Sequence, residues 1–251
     1  VITPLLPEAW LSAAHLLAQT TRNNSGSPPP YIFFIIGGFI LLVILASVFA
    51  KRADLKRRAA ARAALENRGL IFHELGEPAA LPYALALAPI AALATRPEKT
   101  RWSASGELSG VPVMAIEHQY STGSGKNRQV HNHSVVSIPV PETWPKLDIY
   151  AENLFHRIGE LFGSKDLKVE DEAFNKRFRV KGVSEDFALL FLTPEIQRLM
   201  LQWTKGTTLA IANGRLCISR NSHLSGEQWP TLLDEAVTLR SALPSELDAY
   251  V

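Results

Sequence analysis

Residues Tyr31 to Ala50 read YIFFIIGGFILLVILASVFA, twenty consecutive positions without a charge. As a helix this run is roughly 30 Å long at about 1.5 Å per residue, the thickness of a bilayer's hydrocarbon core. A surface helix of a soluble protein keeps a polar face, and this run has none. A cleaved signal peptide would be shorter and would carry its positive charges ahead of the apolar run. Here they follow it. The run predicts one transmembrane helix.

Its flanks predict its orientation. Lys51, Arg52, Lys56, Arg57, Arg58, Arg62 and Arg68 come after it, against Asp54 and Glu66, while Arg22 is the lone Lys or Arg before it. The positive-inside rule then places the C-terminal side in the cytoplasm and residues 1–30 outside. In a bacterium that is a single-pass inner-membrane protein with a periplasmic N-terminus. The span has no His, Asp, Glu, Lys or Arg. Ion paths, proton relays and pigment or haem ligation by a helix normally need one of these. The span therefore reads as an anchor, with Gly37 and Gly38 as a place where a partner helix can approach closely.

Four regions follow from the pattern. Residues 1–30 form the outer tail. Within it Pro7 to Gln19 has Trp10, Leu11, Ala14, Leu17 and Ala18 at helical spacing, an amphipathic helix with Trp10 as a partner contact. TRNNSGSPPP (Thr21 to Pro30) is a linker. Residues 31–50 are the span. Residues 51–69 are a basic juxtamembrane helix, rich in Ala, Arg and Leu, which Gly69 should end. Its Lys51, Arg52, Lys56, Arg57, Arg58 and Arg62 are candidates for contact with anionic lipid headgroups or an acidic partner. Nucleic acid is disfavoured, because no aromatic residues alternate with the charges.

Residues 70–251 read as a cytoplasmic α+β domain, antiparallel hairpins and a meander packed against helices. Strands are expected at Leu70–Glu74, Arg101–Leu108, Val111–Tyr120, Gln129–Ile138, Arg177–Lys181, Thr207–Ala212 and Arg215–Ser219. Ser109-Gly110 and Asn213-Gly214 are two-residue turns. Helices are expected at Leu81–Ala94, interrupted by its prolines, and at Ala151–Phe162, Ser184–Leu192, Pro194–Trp203 and Glu227–Leu243, with Thr193 capping the fourth. The single cysteine, Cys217, lies in an apolar run and reads as a small buried side chain.

The order of span, basic helix, the hairpin YSTGSGKNRQVH, then FNKRFRVKG and LTPEIQRLM resembles a family of bacterial membrane-anchored proteins of unknown function. The similarity runs over about residues 60 to 240, and its most specific part is Tyr120 to Arg128 with His131. It implies the same topology and a bacterial origin. It supplies no reaction and no catalytic residue.

Candidate chemistry is sparse. Gly123-Ser124-Gly125-Lys126 has the look of a phosphate loop, but Tyr120 and Asn127 stand where that motif needs a Gly and a Ser or Thr. A hairpin loop is the better reading, with Lys126 and Arg128 as partner contacts at its tip. His118, His131 and His133 are the one metal-like constellation. If the loop centres between Ser124 and Gly125, His118 lies opposite His131, and three imidazoles share a face. No nucleophile elbow or resident cofactor site is visible. The favoured reading is a non-catalytic accessory or scaffolding subunit of an inner-membrane complex, with a photosynthetic or respiratory assembly as one host. The alternatives are a metal-binding or enzymatic domain built on those histidines, and a sensor of anionic lipid.

Overall fold

The computed structural model describes residues 30–74, 83–95, 99–151 and 165–250. Trp10 and the expected amphipathic helix around it lie outside the described residues, as does all but the first residue of the expected helix Ala151–Phe162.

Helix α1 runs without a break from Pro30 to Glu66, 37 residues. Gly69 ends it with φ +81°. Its N–H donates to the Glu66 carbonyl, and the Leu70 N–H reaches back to the Leu65 carbonyl. This pair of bonds satisfies carbonyls that the helix end leaves open, and only a residue tolerant of positive φ can make the turn. The helix is long and apolar enough to cross a membrane, and none of its most apolar window is buried.

The chain divides into two compact units, residues 1–59 with 122–129, and residues 60–121 with 130–251. The second holds the sheet. It begins at Ala60, so the last turns of α1 belong to it.

The sheet strands are β1 (Ile71–Glu74), β2 (Thr100–Leu108), β3 (Val111–Thr122), β4 (Gln129–Pro139), β5 (Leu147–Ala151), β6 (Lys165–Leu167), β7 (Phe178–Gly182), β8 (Thr207–Ala212) and β9 (Arg215–Arg220). They lie in the order β1-β2-β3-β4-β9-β8-β5-β7-β6. The tight turns fall where the sequence predicts them, with positive φ at Ser109, Gly110, Asn213 and Gly214. These turns fix the β2–β3 register as Leu108 opposite Val111 and the β8–β9 register as Ala212 opposite Arg215. The remaining helices are α2 (Tyr83–Ala86), α3 (Ala91–Ala94), α4 (Glu172–Arg177), α5 (Glu185–Phe191), α6 (Pro194–Gln202) and α7 (Gln228–Ala242). Pro89 separates α2 from α3, which corrects the single buried helix expected there to two single turns. Ser184 and Thr193 cap α5 and α6 by accepting the N–H of Phe187 and Ile196. Strands β5 and β6 were not expected from the sequence.

Alternation along the central strands builds two cores. Val113, Ala115, Val136, Ile138, Leu216 and Ile218 face a large one, which also takes Ala61, Leu65, Trp102, Trp229 and the apolar side of α7. Met114, Ile116, Val135 and Cys217 face a small one closed by Ala86, Leu87 and Leu93. Cys217 donates to the Ala86 carbonyl at 3.2 Å, and its burial pushes the thiol up to about 12. It is a packing residue, as its apolar neighbours in sequence predict. Gly226 lies close against the end of α1, where any Cβ would meet the Ala60 carbonyl at 2.6 Å. A glycine there lets the loop before α7 rest on the backbone of α1.

Candidate functional site

Polar and aromatic groups gather near the loop end of β3 and β4, on both faces of that pair. Below them the strands are filled by core residues, so the polar groups begin where apolar packing stops.

On the face of the small core, Tyr120 is the organising ring. It stacks on His131 at 4.8 Å between centroids and 19° between planes. It also lies nearly parallel to His133, at 5.6 Å and 2°, and edge-on to His118 at 5.8 Å. His118 is fully enclosed. Burial, with His118 and His131 alongside, lowers the His133 imidazole to about 4. The three histidines predicted from sequence thus do share a face. They enclose a phenol ring, however, and it is Tyr120 that takes the place beside His131 expected for His118. Among the described residues no group of three or more His, Cys, Asp or Glu could hold a metal ion. The geometry brings the three imidazoles together around one ring, as an aromatic stack centred on Tyr120.

On the opposite face lies a buried carboxylate that sequence reasoning missed. Glu117 is completely enclosed, with the Arg101 guanidinium at 3.6 Å and His223 Nδ1 at 3.2 Å. Gln119 continues the network, donating to Asn132 at 2.7 Å and meeting His223 Nε2 at 3.2 Å. An enclosed carboxylate is tolerated only when charges and donors surround it, as here. The partners come from β2, β3, β4 and the loop after β9, up to 122 positions apart. No local motif announces such a cluster.

A second buried pair joins β9 to α7. Arg220 Nη2 donates to Glu235 at 2.7 Å, and its Nε donates to Thr207. Glu235 also accepts from Thr204. An open cleft of about 350 Å³ lies beside it, bounded by Thr204, Lys205, Gly206, Asn221 and Gln228. The Arg220 guanidinium at its wall is already paired with Glu235, and Lys205 is exposed at its rim.

The predicted basic residues divide. Lys51, Arg52 and Lys56 are exposed on α1. Arg57 pairs with Asp54 one turn away, at 2.8 Å. Arg62 belongs to the sheet unit, where it pairs with Glu66 and lies over the Phe72 ring at 5.5 Å. Lys126 and Arg128 are exposed in the β3–β4 loop, which contains one 3₁₀ turn at Gly125–Asn127 and joins strand to strand. Among the described residues, and apart from the helix's own backbone, nothing stands within 4 Å of a Cβ built at Gly37 or Gly38.

No family model matches the chain, and no curated protein matches it in sequence. A solved structure does match its fold: the crystal structure of the mycobacterial trehalose monomycolate transport factor A, TtfA. The TM-score is 0.54 at 10% identity, over 74% of this chain and 95% of that one. At that identity the likeness is one of fold, and it agrees with the α+β architecture.

Proposed function

We propose that this chain is a membrane-anchored, non-catalytic accessory subunit of a bacterial inner-membrane complex. One observation carries the reading. From Tyr31 to Ala60 no side chain of α1 is buried, and twelve large apolar residues between Tyr31 and Leu55 are exposed. A soluble surface rarely exposes so continuous an apolar stretch. A bilayer, or other helices within one, would cover it.

The absence of a charge in the span favours an anchor over a conduit. In the sheet unit the strongest polar groups are spent on one another: Glu117 on Arg101 and His223, Arg220 on Glu235, Arg68 on Asp234. Such pairs shape and stiffen a domain without presenting a reactive group to a substrate. The fold neighbour's description as a transport factor also fits an auxiliary role. The basic flank orients the sheet unit to the cytoplasm and residues 1–30 to the periplasm.

The test is gentle detergent extraction from the native membrane, sizing, and mass spectrometry of what co-migrates. A large assembly holding this chain in fixed ratio is the expected result. A free monomer, or copies of this chain alone, would contradict the subunit reading. Fusing reporters active on only one side of the membrane to each terminus checks the orientation.

A further inference from the structure

The charge of this protein is segregated. Residues 1–59 and 122–129, which form one compact unit, carry eight Lys or Arg and two Asp or Glu. The rest of the chain carries eighteen and 22. A protein of net charge +2 is therefore a basic unit, at about +6, joined to an acidic one, at about −4. Only one internal segment is drawn into the basic unit, the β3–β4 loop.

That loop has a built shape. Gly123 adopts φ +73°, and a Cβ there would collide with the Asn127 carbonyl. Gly125 is also at positive φ, and the backbone closes through Asn127 N–H to Ser124 and Arg128 N–H to Gly125. Every residue from Gly123 to Val130 is exposed. No Asp or Glu occurs between Glu117 and Glu142. The loop thus presents the exposed Lys126 and Arg128 in the same compact unit as the apolar run and Lys51, Arg52 and Lys56.

We propose that the β3–β4 loop is a second membrane contact, in which Lys126 and Arg128 bind the phosphates of anionic lipid headgroups at the surface where the span emerges. The inference rests on the anchorage read above. Basic residues are attracted to an anionic bilayer surface, and the span supplies the proximity. Two cations would bind headgroups weakly from solution. Tethered to a span, the loop meets them at high effective concentration.

The test uses the full chain in lipid nanodiscs, with a fluorophore on Ser124→Cys and quencher-labelled lipid in the bilayer. Cys217 is buried and needs no replacement. In discs containing phosphatidylglycerol the loop fluorophore should be quenched. Quenching should fall at least about twofold in pure phosphatidylcholine, and equally in the Lys126→Gln, Arg128→Gln double variant. A second label at Phe39→Cys reports the span. Span quenched and loop unquenched would overturn the loop contact and leave the anchorage standing. Both unquenched would remove the anchorage and the proposal with it. A loop shielded from aqueous iodide in native membranes yet never quenched by lipid would assign it to a protein partner, and would overturn the lipid contact.

Discussion

Between Ala60 and Ala61 the surroundings of helix α1 change. Up to Ala60 no side chain is buried, and Phe34 and Phe33 are 80% and 63% exposed. Beyond it Ala61 and Leu65 are completely enclosed, among residues of the large core. Backbone regularity is the same in both stretches, so hydrogen bonding within the helix does not distinguish them. What differs is where the apolar side chains are satisfied. The last turn is fixed by protein, through Leu65, Leu70 and the close fit of Gly226 on Ala60. The residues from Tyr31 to Ala50 are exposed or half-buried, and their composition matches a hydrocarbon solvent. The same rule, that apolar surface leaves water, produces a core at one end of the helix and, in the function proposed above, an anchor at the other.

The sharpest way to break this comparison is a matched pair of substitutions. Leu65→Ala should destabilise the protein by about 2–5 kcal/mol, the range for emptying an enclosed leucine site. Leu45→Ala, on the exposed stretch, should leave the unfolding midpoint of the sheet unit unchanged in detergent. Equal effects from both would erase the distinction. Next in size is Gly226→Val. Its side chain must displace the Ala60 backbone, at a cost of roughly 1–3 kcal/mol, while Gly38→Val should be silent in the same urea titration.

His133 gives a pH-dependent version. Its imidazole sits near 4 in the folded protein, below the ordinary value of about 6.5. The unfolded chain therefore takes up the proton first as pH falls. The contribution of His133 is complete above about pH 6.5 and is lost as pH drops from there through 4, by roughly 1–3 kcal/mol. The His133→Gln variant should flatten the stability profile in that window. The smallest effect is expected at Arg68, whose bidentate bond to Asp234 at 2.7 and 2.8 Å lies in solvent. Arg68→Ala should cost no more than about 1 kcal/mol, and less in high salt.

Much of this architecture is legible in the sequence because it is local. The apolar run, the Gly69 stop, the Ser109-Gly110 and Asn213-Gly214 turns and the Thr193 cap each sit within a few residues of what they control. Long-range features are not legible in that way. Strand β5 is inserted between β7 and β8, and Asp148 faces Lys181 and Ala210 there. Its burial raises the Asp148 carboxyl, a condition no local pattern signals. Glu117 looked like any polar strand residue until Arg101 and His223 closed on it from distant segments. The histidines were placed on the correct face because strand alternation has a period of two. Their neighbour was misjudged, because a slip of two positions preserves the face and changes the partner. Tyr120 beside His131 is the result.

In the function proposed above, residues 31–50 are held by a membrane while residues from Ala61 on are held by protein. Washing membranes from cells that produce the full chain with alkaline carbonate tests it most directly, alongside a Leu41→Arg, Leu42→Arg variant. Each arginine at the centre of a span costs roughly 2.5–3.5 kcal/mol of insertion. The original chain should stay in the pellet, and the variant should be released with its sheet unit folded. Release of the original chain by carbonate, or retention of both to the same extent, would contradict it.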